Sequence, residues 1–379
     1  MRIRVLHVID HLGYGGAPFV VKGIVERMPA DRVESSVCAL RSNPRSIQID
    51  AEVMTLKSRK YSLAAVRSIA DICKARRIEV IHAHLQKAAV SSLLATHFCT
   101  SRLIVHEHGP IFRDGTGCIY RWLLRLLGGR ADAIIANSEA AKSAVQRAMR
   151  SSEVPITVVP NFIDLERFDP DRHERDGARK ALGLENDKFV VGFVGRLDRA
   201  KGADVLIDAA AILRDEDASY RFFVVGDGPE KNRLENRIRK LGLDRMVILA
   251  GLCEDTAAVM RAFDVGVVPS RREAFGIAAL ELMRMRVPVI VSPVGGLPEL
   301  VRDGATGIVL SRLDAQAIAQ AIRRLARDGD LRERLSRNAF EHAGQFDGRR
   351  AVQQIVEVYE RLTAVKRQDR DAQGQARGT

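Results

Sequence analysis

Aromatic residues make up only 5% of this 379-residue chain, and there is a single Trp. That leaves little material for the stacking platforms of single-stranded nucleic-acid binders. No apolar run approaches the ~18 residues that a membrane span requires. Cysteine is sparse and odd in number: Cys38, Cys73, Cys99, Cys118 and Cys253 lie scattered, with no Cys-x-x-Cys pair. A disulfide framework and a cysteine-rich zinc site are thereby disfavoured, and a reducing compartment is expected. The opening residues Met1-Arg2-Ile3-Arg4-Val5 lack the apolar stretch and cleavage site of a signal peptide. A cytoplasmic location is the expectation, with a peripheral position on the inner face of a membrane as its extension. No repeat of fixed period is present.

What the chain has in excess is positive charge, formally +12. The excess is uneven: 24 Lys+Arg face 16 Asp+Glu through Pro170, and 36 face 32 beyond it. Such a surplus attracts nucleic acid, anionic lipid or a polyphosphate. None of the sequence signatures of nucleic-acid modules is present, so no nucleic acid is expected. A membrane surface ranks higher, beside the plainer reading of solvated charge. Two segments carry the membrane hypothesis. Arg41–Arg77 holds nine Lys/Arg against three Asp/Glu, and Tyr120–Leu127 mixes Arg with Trp122 and Leu.

Short β-branched runs alternate with longer amphipathic stretches throughout, the signature of βαβ units and parallel sheets. Strands are expected at Arg4–Ile9, Glu34–Leu40, Val80–His84, Leu103–His106, Ala133–Ala136 and Thr157–Val159. A second set is expected at Phe189–Val194, Arg221–Val225, Val247–Leu249, Val265–Val268, Val287–Val291 and Gly307–Leu310. The charged, Pro- and Gly-containing stretch within Leu165–Asn186 reads as the connection between two domains. The segment from Lys366 onward has almost nothing apolar and reads as disordered. The fold class is therefore α/β, with two doubly wound, Rossmann-like domains expected to face each other across a cleft.

The strongest chemical signal runs from Pro269 to Glu281, after the strand Val265–Val268 and into a helix. Glu273 precedes the helix, where the free amides of Phe275, Gly276 and Ile277 can meet phosphate or sugar oxygens. Glu281 lies eight residues on, within about 80° of Glu273 around the helix axis. Glu281 is set among Ala278, Ala279, Leu280, Leu282 and Met283, an odd place for an idle charge. The plain alternative is a helix-terminal charge and a solvated carboxylate. The second signal, Gly195-Arg196-Leu197-Asp198-Arg199-Ala200-Lys201-Gly202, follows the strand Phe189–Val194 and suits a diphosphate: Arg forks onto two oxygens while Lys supplies a point charge. Gly226-Asp227-Gly228-Pro229 is explained by turn chemistry, with a nucleotide nearby as the functional reading. Gly295-Gly296 is a further glycine turn after a strand.

In the first half, Gly15-Gly16 follows the first strand but lacks the dinucleotide-binding glycine spacing. Their amides still suit a phosphate or an acceptor. His82-Ala83-His84 and His106-Glu107-His108 end two strands. Each His-x-His pair shares a strand face but needs a third ligand to hold a metal, and no carboxylate or Cys is tied to either by spacing. No metal is expected. His108 is the histidine assigned to sugar hydroxyls, and His7 reads as a core histidine.

Taken together these residues resemble the retaining family-4 glycosyltransferases of the GT-B fold, over essentially the whole chain. Glu273-x7-Glu281 is the most specific element. Gly195-Arg196…Lys201-Gly202, Gly226-Asp227-Gly228, Gly295-Gly296, Gly15-Gly16, Asn137-Ser138-Glu139 and Asn161-Phe162-Ile163-Asp164 support it. Two positions depart from the usual pattern: Phe162-Ile163 stands where Gly-Val is commoner, and Ala274 stands where Gly is usual. The resemblance implies an acceptor-binding domain at 1–168 and a nucleotide-sugar-binding domain at 187–346. A crossover helix near 347–365 returns to the first domain, and Arg349–Leu362 has that character. Arg196 and Lys201 neutralise the departing diphosphate in place of a metal ion. Glu281 holds the ribose, Glu273 the transferred sugar, and His108 contacts the donor sugar. The donor is a UDP- or GDP-sugar, the acceptor a glycan or lipid-linked glycan, and no cofactor is required. The rival readings are an epimerase or hydrolase of the same fold and a non-catalytic nucleotide- or nucleic-acid-binding protein.

Overall fold

The computed structural model describes residues 2–56, 62–109, 130–149, 153–184, 188–214 and 219–376, with side chains through residue 364. The chain divides into two compact units, residues 1–162 with 348–379, and residues 163–347.

Unit 1 carries a seven-stranded sheet. Its strands are β1 (Ile3–Ile9), β2 (Val33–Ala39), β3 (Glu52–Thr55), β4 (Val80–His84), β5 (Arg102–Glu107), β6 (Ala133–Ala136) and β7 (Ile156–Val158). They lie in the order β3-β2-β1-β4-β5-β6-β7, and every pairing is parallel. The central strands are buried on both faces, which is why they read as continuous Val/Ile runs rather than alternating ones. Edge strand β3 was not anticipated. Its residues Glu52-Val53-Met54-Thr55 are largely exposed, and among the described residues only β2 pairs with it, so the apolar signal of a core strand is missing.

Unit 2 repeats the architecture with six strands: β8 (Phe189–Val194), β9 (Tyr220–Val225), β10 (Val247–Gly251), β11 (Val265–Val268), β12 (Val289–Val291) and β13 (Ile308–Val309). Their order is β10-β9-β8-β11-β12-β13, again all parallel. In each sheet the strand order reverses once, between β1 and β4 and between β8 and β11. Ligands of doubly wound sheets sit at the carboxyl edge of such a reversal.

Two boundaries differ from the sequence reading. The charged stretch expected to link the domains folds onto unit 2. Phe168 and Leu184 are buried in its core, and Arg175 and Arg179 both pair with Asp264. Two of its arginines are held by that ion pair, while most of its other charges remain exposed. The last helix runs Gly348–Ala376, past Lys366, because Lys, Arg, Gln and Ala have high intrinsic helix propensity. It belongs to unit 1: Arg32 bonds Glu360, and Tyr359 is buried there beside His82. No helix among the described residues is long and apolar enough to cross a membrane. Cys38, Cys73, Cys99 and Cys253 are free thiols; Cys118 and the Tyr120–Leu127 segment lie outside the described residues.

Candidate functional site

Unit 2 assembles its candidate site from the loops that leave β8, β9, β11 and β12. After β8, Asp198 caps a short turn, accepting from the amides of Ala200 at 3.0 Å and Lys201 at 3.2 Å. That turn, Arg199–Lys201, ends in Gly202, whose φ of 70° is left-handed. A Cβ at Gly202 would stand 2.0 Å from the Pro269 carbonyl oxygen. Glycine thus lets the β8 loop lie directly on the β11 loop. Arg271 fastens the two: its amide donates to Ala200 O at 2.7 Å, and its guanidinium bonds Arg199 O at 3.0 Å and forks onto Asp204 at 2.6 and 2.8 Å.

The result is a contact between residues 72 positions apart. Lys201 Nζ donates to Glu273 Oε2 at 2.6 Å, and Ser270 Oγ donates to the same oxygen at 3.2 Å. The β12 loop approaches just as closely, since a Cβ on Gly295 (φ 58°) would sit 1.6 Å from Glu273 O. The amides of Phe275, Gly276 and Ile277 donate to no acceptor among the described residues and stand at the N-terminus of the helix Ile277–Arg284, where an anion is favoured. The Phe275 side chain is buried in the core against Phe346, so only its amide is available. Arg196 is exposed, with Nε 3.7 Å from Asp198 Oδ2.

Glu281 is half-buried, and its carboxylate accepts no hydrogen bond among the described residues. Burial pushes its pKa up to about 7, opposed by the charge of Arg167. It does not join the Lys201–Glu273 pair. Gly195 and Gly226 have no free amide to offer a ligand. Their amides are spent on Val225 O at 3.0 Å and Gly251 O at 2.7 Å, so they hold neighbouring loops together.

In unit 1, Gly15 precedes the helix Gly16–Glu26, and both glycines are exposed. Beside them Asp10 leaves the end of β1. Burial raises its pKa, but Arg41, forked onto it at 2.8 and 2.6 Å, and Lys87 at 2.7 Å hold it below the ordinary carboxylate range. His108 follows β5 and is half-buried; burial lowers its pKa to about 4, opposed by the Asn161 side chain. His108 does not stand alone. His84 Nδ1 lies 3.0 Å from His108 Nε2, and His7 Nδ1 lies 3.1 Å from His84 Nε2. A second file runs from Tyr359 Oη to His82 Nδ1 at 2.6 Å, and from His82 Nε2 to His106 Nδ1 at 3.1 Å.

Two family models match the chain: Glycosyltransferase Family 4 over residues 14–167 and Glycosyl transferases group 1 over residues 174–342. The chain belongs to the family-4 glycosyltransferases, with the GT-B fold. A D-inositol 3-phosphate glycosyltransferase of Corynebacterium urealyticum is 35% identical over 61% of this chain and 57% of its own length. One of Actinosynnema mirum is 35% identical over 63% and 60% respectively. The chain therefore spans less than two thirds of these relatives. Anabaena HepE, solved with UDP-glucose, superposes with a TM-score of 0.82 at 26% identity, covering 95% of this chain and all 100% of that one. Sucrose-phosphate synthase of Thermosynechococcus elongatus shares the fold, with a TM-score of 0.81 at 22% identity, over 96% and 100%.

In this family member several residues that build the site went unnoticed in the sequence. Asp198, Ser270, Arg271 and Asp204 orient Lys201 and Glu273. Asp198 carried a readable signal, an Asp directly before a short turn. The Arg271–Asp204 fork did not, because its partners are 67 positions apart. The third histidine facing each His-x-His pair was equally hidden, since it comes from the neighbouring strand.

Proposed function

We propose that the chain transfers a hexose from a UDP-sugar to a hydroxyl of a glycan or lipid-linked glycan, with retention, in the assembly of cell-surface glycan or exopolysaccharide. The observation that carries this reading is the Lys201–Glu273 pair, held at the switch point of the unit 2 sheet by three interlocked loops. Lys201 and Arg196 stabilise the negative charge that develops as the bond between the anomeric carbon and the diphosphate oxygen breaks. The acceptor oxygen bonds that carbon on the same face, and its proton passes to the departing diphosphate. Glu273, whose carboxylate is oriented by Lys201 and Ser270, receives hydrogen bonds from hydroxyls of the transferred sugar. The free amides of Phe275–Ile277 hold phosphate oxygens, and Glu281 receives the ribose hydroxyls. His108 addresses a sugar hydroxyl. In this scheme Arg196 and Lys201 supply the cationic charge that a metal ion provides elsewhere.

The uridine assignment is supported by HepE, whose structures contain UDP and UDP-glucose. A phosphorylated cyclitol as acceptor is the second reading, favoured by the name of the inositol 3-phosphate relatives. The test is thermal unfolding against UDP-, GDP- and ADP-sugars, followed by assay of nucleotide release with each acceptor class. A ligand specific to the folded state raises the midpoint. No shift with any nucleotide sugar would sink the proposal, and nucleotide release without any acceptor would favour a hydrolase.

A further inference from the structure

Five of the nine histidines in the chain, His7, His82, His84, His106 and His108, gather where β1, β4 and β5 run side by side. Register explains the gathering. His7 lies beside His82, and His84 lies beside His106. Because strand residues two apart share a face, the rings stack, with centroids 4.2 Å apart for His82 and His84 and 3.9 Å for His106 and His108. Each His-x-His pair thus meets a third histidine from a neighbouring strand. One ring nitrogen from each of His84, His106 and His108 lies within 4.8 Å of the other two, and the same holds for His7, His82 and His84.

The first of these groups has the features of a built site. Zinc–imidazole bonds of about 2.0–2.1 Å in a tetrahedral arrangement place ligand nitrogens roughly 3.3 Å apart, and His84 Nδ1 already stands 3.0 Å from His108 Nε2. His106 is 1% exposed. Its Nδ1 is taken by His82, and its Nε2 has no partner among the described residues. A buried polar nitrogen left this way is unfavourable, and a bound cation removes that penalty. The outer contacts also suit metal ligation, in which each ligand ring gives its other N–H to an acceptor. His106 Nδ1 faces His82 Nε2, whose ring continues to Tyr359, and His84 Nε2 faces His7 Nδ1. His108 Nδ1 has no hydrogen-bond partner among the described residues, so this outer support belongs to His84 and His106. The half-buried His108 leaves a way in, which the fully buried group around His7 lacks.

We propose that His84, His106 and His108 form a three-histidine site for one divalent transition-metal ion of the zinc class, with the fourth position open. Three neutral imidazoles suit Zn²⁺, Cu²⁺ or Ni²⁺ and disfavour Mg²⁺ or Ca²⁺. His84 and His106 lie outside the proposed transfer machinery, whereas His108 is shared with it through its contact with a sugar hydroxyl; metal uptake is read directly and does not depend on that contact.

The full chain, stripped by chelator, is titrated with Zn²⁺ by calorimetry and with Co²⁺ by visible absorption. The expected result is one ion per chain and the intense Co²⁺ bands of a tetrahedral nitrogen site. His84→Gln and His106→Gln should each lose the stoichiometric binding, while His97→Gln and His342→Gln retain it. If a buried variant fails to fold, His108→Gln, checked by circular dichroism, takes its place and should lose the bands. Absence of stoichiometric uptake by the unaltered chain, or equal uptake by the His106 and His108 variants, overturns the proposal.

Discussion

Lys201 Nζ and Glu273 Oε2 lie 2.6 Å apart because a glycine at 202 and a guanidinium at 271 press two loops together. The lysine side chain is 32% exposed and the carboxylate 14%, so the pair is reachable by a ligand. A partly exposed ion pair contributes up to about 1 kcal/mol to stability. The same cation aimed at a leaving diphosphate contributes far more to the barrier, on the order of 100- to 1,000-fold in turnover. Lys201→Ala is therefore expected to unfold within about 1 kcal/mol of the parent while losing turnover by that factor. Urea unfolding and nucleotide release measured on one preparation check both halves; near-parental turnover would remove Lys201 from the mechanism.

Gly295 tests whether the loop architecture itself matters. A methyl group there would stand 1.6 Å from Glu273 O, at a φ of 58° that side chains rarely adopt. The Glu273 loop must move, and the strain is of order 1–3 kcal/mol. Gly295→Ala is expected to lower stability by that amount and to reduce activity more than Gly304→Ala. Gly304 also has a positive φ, 67°, but meets nothing within 4 Å. Equal activity in the two variants would separate the loop contact from function.

What could be read in the sequence follows from the range of each interaction. Val80–His84, Ala133–Ala136, Phe189–Val194 and Val265–Val268 were anticipated to the residue, because double-faced burial writes itself into consecutive β-branched residues. Strand β3 was hidden by its exposure. Glu273 and Lys201 stood out because each follows a core strand, and ligands collect at such strand ends. Their direct pairing, the Arg271–Asp204 fork and the histidine files needed the strand order, which joins β8 to β11 and β4 to both β1 and β5. No local pattern encodes that order.

The histidine files predict acid lability. All five imidazoles are held neutral by burial: His7 is lowered to about 3, His108 to about 4, and His82, His84 and His106 fall well below 6.5. Once pH falls below about 6.5 the unfolded chain binds protons that the folded chain refuses, so stability present above that pH is lost on acidification. Each such group contributes about 1 kcal/mol per pH unit. A folding free energy of about 5–15 kcal/mol cannot absorb several such losses. Urea midpoints should be level between pH 7 and 8 and fall steeply from pH 6.5 to 5. A flat profile down to pH 5 would contradict neutral burial.

Glu281 gives the opposite sign. Its folded pKa of about 7 exceeds the ordinary 4.5, so the folded chain holds the extra proton, and stability declines from about pH 4.5 to 7 before levelling. Glu281→Gln removes that decline and is expected to stabilise the free protein at pH 8 by on the order of 2 kcal/mol. Nucleotide binding moves the other way. If ribose hydroxyls donate to the ionised carboxylate, UDP affinity rises with pH up to about 7, roughly tenfold per unit below that value. Glu281→Gln should bind UDP more weakly at pH 8 and with no pH dependence from this group. Calorimetric titration of both proteins between pH 6 and 8 reads the difference, and parallel pH profiles would show that the carboxylate does not meet the nucleotide.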